Sequence, residues 1–235
     1  MATNIAANLT LIMERIASAA ARSGRSAEDV RLVAVSKTHS PDLIRDAIAA
    51  GVRSFGENKV QEAEGKIAEV GRDAAEWHLI GHLQSNKVRK AIQLFDVIQS
   101  VDSTELAARL ERICNEEGRS QLSVFIQVDL AGEATKSGVA EDDLPKLVSY
   151  LRECERLKLD GLMIIPPFFD DPESSRPYFQ SLRVLRDRMA AEGAFTGGRG
   201  ELSMGMSHDF EVAIEEGATI VRIGTAVFGE RRTAR

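Results

Sequence analysis

Lys37 stands at the end of a short apolar run, Leu32-Val33-Ala34-Val35, with Ser36 before it, Thr38 after it and Pro41 close behind. A run this rich in branched side chains reads as a strand buried on both faces, as in a parallel sheet. Pro41 opens a helix, so Lys37 falls where strand gives way to turn. In an α/β barrel that end of a strand carries the chemistry. An ammonium there is costly unless it is paired or its pKa falls. A lysine of lowered pKa is the usual nucleophile for an aldehyde. The same position also suits a rim lysine paired to a carboxylate.

Two segments near the C-terminus suit a phosphate: Ser203-Met204-Gly205-Met206-Ser207 and Arg222-Ile223-Gly224-Thr225. Glycine lets the backbone approach an anion, and Ser203 and Thr225 add hydroxyl donors. In a barrel, the loops after the seventh and eighth strands commonly hold phosphate against backbone N–H groups. Ordinary turn chemistry is the competing account of these residues. Arg222 lies between Val221 and Ile223. If those two pack outward, Arg222 points into the barrel, where a guanidinium needs acceptors and keeps its proton. The ring nitrogen of a heteroaromatic ligand is one such acceptor; a carboxylate such as Glu57 is another. Asn58 follows Glu57 and either contacts a ligand ring or caps the next helix. His78 and His82 are four apart, but the context is strand and turn with Gly81 between them, which disfavours a zinc pair. His39 and His208 read as loop residues.

These residues require a scaffold that brings strand ends together. A helix over Asn8–Ala21 comes first and is an extra element. Strand and helix then alternate: Leu32–Val35, Pro41–Ala50, Arg53–Phe55, Val60–Val70, Trp77–Ile80, Lys87–Leu94, Val97–Val101, a helix capped by Asp102 or Ser103 and running to Glu117, Leu122–Leu130, Asp142–Glu155, Leu159–Ile165, Pro172–Ala191, Glu201–Met204, Asp209–Glu216 and Thr219–Ile223. Strands alternating with helices imply a parallel sheet. Eight strands at this length imply an α/β fold closed into a single (β/α)8 TIM barrel with an extra N-terminal helix, residues 1–235 forming one domain. An open doubly wound sheet would want a Gly-rich loop after the first strand, and neither GxGxxG nor GxxxxGK[ST] occurs.

The net charge of −6 disfavours a nucleic-acid partner. Arg231, Arg232 and Arg235 read as a solvated end. Cys114 and Cys154 fall in expected helices without a CxxC, as suits unpaired thiols in a reducing cytoplasm. No apolar run reaches membrane-spanning length, and no signal peptide is evident.

A reactive lysine, a phosphate cradle and an arginine for a ring nitrogen, in one barrel mouth, together describe pyridoxal 5'-phosphate. The chain resembles the pyridoxal phosphate homeostasis protein family, whose barrel is similar to the N-terminal domain of alanine racemase. The resemblance rests on Ala34–Thr38, Phe55–Asn58, Trp77–Lys87, Lys136-Ser137-Gly138, Gly161-Leu162-Met163, Leu202–Ser207 and Val221–Thr225. It implies Lys37 as the Schiff-base lysine and Arg222 as the partner of the pyridine nitrogen. Ser203, Gly224 and Thr225 are then at the phosphate, with Asn58 near the ring. His82 receives no role, and His208 departs from the small or acidic residue usual at its position. The function implied is intracellular buffering or delivery of the cofactor by a monomer, without catalysis. Apo-forms of enzymes using the cofactor are the partners. The alternative is an amino-acid racemase. Such a racemase needs a second base, usually a tyrosine from an added domain. Here about ten residues follow the eighth strand, and Tyr150 and Tyr178 both fall in helices. An uncovered barrel mouth would let the cofactor leave, with Lys136 a candidate for a transient second acceptor or else a loop lysine paired with Glu133.

Overall fold

The computed structural model describes residues 4–132 and 137–229. Lys136 and Glu133, and the arginines at 231, 232 and 235, lie outside them. The parallel strands are β1 (Arg31–Val35), β2 (Ser54–Glu57), β3 (Glu76–Leu79), β4 (Val97–Val101), β5 (Leu122–Asp129), the two-residue β6 (Val139–Ala140), β7 (Leu157–Met163), β8 (Glu201–Ser203) and β9 (Ile220–Ile223). Their order is β4-β3-β2-β1-β9-β8-β7-β5, and pairing of β4 with β5 closes the barrel, while β6 adds to the edge of β5. This is the (β/α)8 barrel that the alternation implied.

Alternation along each strand sorts its side chains into two layers. Val33, Val97, Phe125, Met163 and Ile220 fill the barrel interior as a cluster of their own. Ala34, Phe55, Leu79, Val221 and Ile223 face the other way and join the ring of apolar residues under the helices. Those helices are α1 (Ile5–Arg22), α2 (Pro41–Ala49), α3 (Val60–Val70), α4 (Val88–Leu94), α5 (Thr104–Glu116), α6 (Leu144–Glu153), α7 (Arg176–Ala191), α8 (Phe210–Glu215) and α9 (Thr225–Phe228).

The extra N-terminal helix has a structural purpose. Among the described residues, the segment after β9 makes the one-turn α9, too short to cover a barrel strand. Helix α1 packs against α8, α2 and α9. It buries Ile5, Leu9, Ile12 and Ile16 there, so it fills the place left by a full eighth helix. The Asn8 amide donates to the Val227 carbonyl at 2.9 Å and fastens α1 to α9.

Several boundaries differ from the sequence expectation. β2 runs through Glu57, which is therefore a strand residue and not part of a turn. β7 ends at Met163, leaving Ile164 and Ile165 in the loop above it. Lys87, Asp142 and Pro172 fall in single 3-10 turns that precede their helices, where i to i+3 bonds tighten the entry. β6 and α9 were not expected at all, being shorter than any periodicity can reveal.

Candidate functional site

The C-terminal strand ends surround a cavity of about 350 Å³. Lys37, Asn58 and Arg222 all line it, together with His82, Gln127, Asp129 and Met206. Strands β1, β2 and β9, neighbours in the sheet, thus bring the first three together.

Lys37 is half-buried in a turn closed by the His39 N–H on the Ser36 carbonyl at 3.1 Å. Thr38 follows with φ of 67°, the one positive φ on a non-glycine among the described residues. A branched residue is strained in that region, and such strain collects at functional sites. The turn is held from α3: Lys66 Nζ donates to the Ser36 carbonyl at 2.7 Å, and the Thr38 N–H donates to Glu62.

Arg222 does point into the barrel, because Val221 and Ile223 occupy the outer layer. Its guanidinium donates to Ser203 Oγ and to the Ile164 carbonyl, each at 2.7 Å. Burial lowers its pKa to about 10, partly offset by the charge of Asp209. That is a buried cation with neutral acceptors at hand, lining a cavity, and further donors remain on its fork. The carboxylate partner considered for it, Glu57, is elsewhere. Gly56 faces the interior, where a Cβ would touch Val33 and Ile80, so Glu57 faces outward. Glu57 Oε1 accepts from Ser36 Oγ at 2.6 Å and Lys66 Nζ at 2.8 Å, and its Oε2 has no partner among the described residues. Burial raises the Glu57 pKa against the pull of Lys66.

Asn58 is not a helix cap. Lys59 precedes α3 and gives no side-chain cap, while Asn58 turns to the cavity. Its backbone runs so close to Gly81 that a Cβ there would lie 2.3 Å from the Asn58 carbonyl oxygen.

Ser203 is placed differently from the expectation. It lies on β8, fully buried, and its hydroxyl is committed: it accepts from Arg222 and donates to Gln99 Oε1 at 2.6 Å. The hydroxyl on the loop is Ser207, whose Oγ accepts from the Gly224 and Ala226 N–H groups at 3.3 and 3.4 Å. Gly224 is half-buried and Thr225 exposed, both at the start of α9 beside Ser207. The alternation could have shown this, since Leu202 and Met204 are core residues and put Ser203 inside the strand.

Below Ser203 the polar chain continues. The Gln99 amide lies 2.9 Å from His78 Nδ1, and His78 Nε2 lies 2.8 Å from Glu76. The His78 hydrogen bond brings the Glu76 pKa down to about 2. The remaining histidines take rim positions. His82 is exposed, with Nδ1 3.5 Å from Asp102. His208 reaches the Asp170 carbonyl at 3.0 Å and tilts against Phe168. His39 stacks on Phe228.

The arrangement offers an amine and a cationic donor on one cavity, while Ser203, Gly224 and Thr225 are not among its lining residues and the Gly224 and Ala226 N–H groups meet Ser207 at the start of α9. That set fits a small planar aldehyde carrying a phosphate. Comparison with known proteins agrees. Residues 6–232 match the family model of the alanine racemase N-terminal domain. A pyridoxal phosphate homeostasis protein of Aquifex aeolicus is 44% identical over 229 residues, covering 97% of this chain and 99% of its own. One from Escherichia coli is 43% identical over 240 residues, covering 97% of each. The structure of PipY from Synechococcus elongatus, solved with pyridoxal phosphate bound, superposes with a TM-score of 0.80 at 42% identity, over 93% of this chain and all of that one. Alanine racemase from Corynebacterium glutamicum shares the fold alone, at 16% identity and a TM-score of 0.66, over 98% of this chain and 61% of its own. The chain belongs to the family of pyridoxal phosphate homeostasis proteins.

Proposed function

We propose that this protein binds pyridoxal 5'-phosphate and serves as a reservoir or donor of it in the cytoplasm, without turnover of its own. The observation that carries the reading is the convergence of Lys37, Asn58 and buried Arg222 on one cavity. The cofactor supplies an aldehyde that condenses with a lysine amine, releasing water, and a phosphate that needs donors. Lys37 offers the amine. Asn58 bounds the ring. Arg222 donates to the ring nitrogen and, keeping its own proton, leaves that nitrogen unprotonated and the ring a weak electron sink. Gly224 and Thr225 hold the phosphate, and Ser207 replaces Ser203 as the hydroxyl beside them. Ser203 acts from below, by fixing Arg222.

The placement of the two tyrosines supports a carrier over a racemase. Proton transfer on both faces of a substrate needs a second base. Tyr150 belongs to α6, and Tyr178 to α7, stacked on Phe169. Neither lines the cavity. Monomer state, delivery to apo-enzymes and the whole chain as one domain belong to the same reading.

The experiment is titration of the purified protein with pyridoxal phosphate, followed by borohydride reduction and peptide mapping. The expected result is a visible absorption band, an adduct on Lys37, and no racemisation of free amino acids by the loaded protein. A band retained in full by Lys37→Ala, or an adduct on another lysine, overturns the site. Sustained racemisation overturns the function.

A further inference from the structure

We propose that Lys66 and Glu62 of α3 are positioning residues that clamp the backbone on either side of Lys37 and so aim its amine; this rests on Lys37 being the cofactor's amine partner. The clamp grips neighbours, not Lys37 itself. Lys66 Nζ holds the carbonyl of Ser36, the residue before, at 2.7 Å. Glu62 holds the N–H of Thr38, the residue after. The two are i and i+4 on α3 and bond each other at 2.6 Å. Lys66 also reaches Glu57 Oε1 at 2.8 Å, so its three donors have three acceptors.

The cost of this arrangement argues for a purpose. Lys66 is 7% exposed and Glu57 is fully buried. An ion pair in that position is generally no more stabilising than well-packed apolar residues of the same volume. It does something apolar residues cannot, which is to bind a carbonyl on one side of a turn and an N–H on the other. The turn needs it, because Thr38 sits at φ of 67°. Released from Glu62, a threonine relaxes toward negative φ. That rotation reorients the peptide joining Thr38 to Lys37 and swings the lysine relative to the ring position that Arg222 fixes.

The test uses the full-length protein. Glu62→Ala, Lys66→Met and Glu62→Gln are compared with wild type and with Glu64→Ala, an α3 variant at the surface pair with Lys90. Cofactor affinity, thermal stability and, in apo protein, the rate and pH profile of Lys37 acylation by competitive labelling are measured. Glu62→Ala and Lys66→Met are expected to weaken affinity about ten- to a hundredfold, the scale of one charge-assisted hydrogen bond. They should also shift the Lys37 labelling profile, while Glu64→Ala does neither. Glu62→Gln, which still accepts from the Thr38 N–H, should lie between. Glycine tolerates positive φ, so Thr38→Gly added to Glu62→Ala should recover most of the lost affinity. Should Lys66→Met fail to fold, Glu62→Ala and its rescue decide alone, because Glu62 lies nearer solvent. Wild-type affinity and Lys37 labelling in Glu62→Ala overturn the clamp and leave the Lys37 assignment intact. A loss that Thr38→Gly does not repair also overturns it. A wild-type protein that forms no adduct on Lys37 overturns the function, and the clamp with it.

Discussion

Ser203 Oγ lies 2.7 Å from the Arg222 guanidinium, and that contact sets the sense of the hydrogen bonds beneath it. Arginine can only donate, so the Ser203 oxygen accepts and its own proton goes to Gln99 Oε1. The Gln99 amide then donates to His78 Nδ1, which places the imidazole proton on Nε2, facing the Glu76 carboxylate. Every dipole points the same way, from the buried cation at the cavity to a carboxylate toward the opposite end of the barrel. Among the described residues Arg222 has no carboxylate in contact, and this aligned chain is its compensation.

Two serines four residues apart should therefore fail differently. Ser203→Ala leaves an arginine N–H and a glutamine carbonyl unpaired in the interior, which costs about 1–3 kcal/mol. For a chain of this size the melting temperature should fall by several degrees. Ser207→Ala removes a hydroxyl from the rim and should cost little stability but weaken cofactor binding. Thermal melts and cofactor titration of both variants check this; equal losses of affinity with no difference in stability would return Ser203 to the phosphate.

Gly205 joins the two serines and is the strictest position in that loop. Its φ is 92°, and a Cβ would lie 2.6 Å from the Ala213 Cβ and 2.9 Å from the Phe210 Cα. Its carbonyl also accepts the Arg222 N–H at 2.9 Å. Gly205→Ala adds left-handed strain to a backbone clash and should destabilise by more than about 1 kcal/mol. Because the loop must shift, cofactor affinity should fall along with the melting temperature. Unchanged affinity at a reduced melting temperature would detach this loop from the site.

The barrel was legible because strand and helix alternate with short connections, and Arg222 was legible because Val221 and Ile223 flank it. The same alternation applied to Leu202, Ser203 and Met204 puts Ser203 inside the barrel; a glycine-rich serine segment reads as a loop until the strand's end is known. Glu57 was open to an Arg222 pairing while its strand was taken to stop at Phe55. Two strand residues more, with Gly56 inward, turn it toward α3. The clamp of Lys66 and Glu62 on the Lys37 turn was out of reach, since helical spacing marks them as one face but not which backbone groups that face meets.

Acid should dismantle the interior chain from its carboxylate end. The Glu76 pKa is depressed from 4.5 to about 2 in the folded protein, mainly by the His78 hydrogen bond. A depressed carboxyl contributes stability that is present above the unfolded pKa and is lost as pH falls through the folded one. The contribution is therefore complete at neutral pH and disappears between about pH 4.5 and 2. Glu76→Gln lacks it throughout. Denaturant unfolding of the two proteins across this range should show a gap that is widest at neutral pH and closes toward pH 2. A gap that stays constant across the range means that the Glu76 charge is not what stabilises the chain.

The site's exposure predicts how the cofactor leaves. Lys37, Asn58 and Gly224 are half-buried, Thr225 is exposed, and Phe168 stands 76% exposed beside His208 at the rim. A cofactor seated there is open to water and to incoming amines, so release should not require unfolding. Free amines should accelerate it in proportion to their concentration, and denaturant well below the unfolding transition should not. Direct delivery is a stronger expectation and is tested separately. The loaded protein is mixed with an apo-enzyme that needs pyridoxal phosphate, in the presence of a scavenger of free cofactor. Recovery of the enzyme despite the scavenger, faster than spontaneous release, is the expected result for a donor. Recovery abolished by the scavenger would reduce the protein to a passive buffer, with Lys37 and Arg222 storing the cofactor but not passing it on.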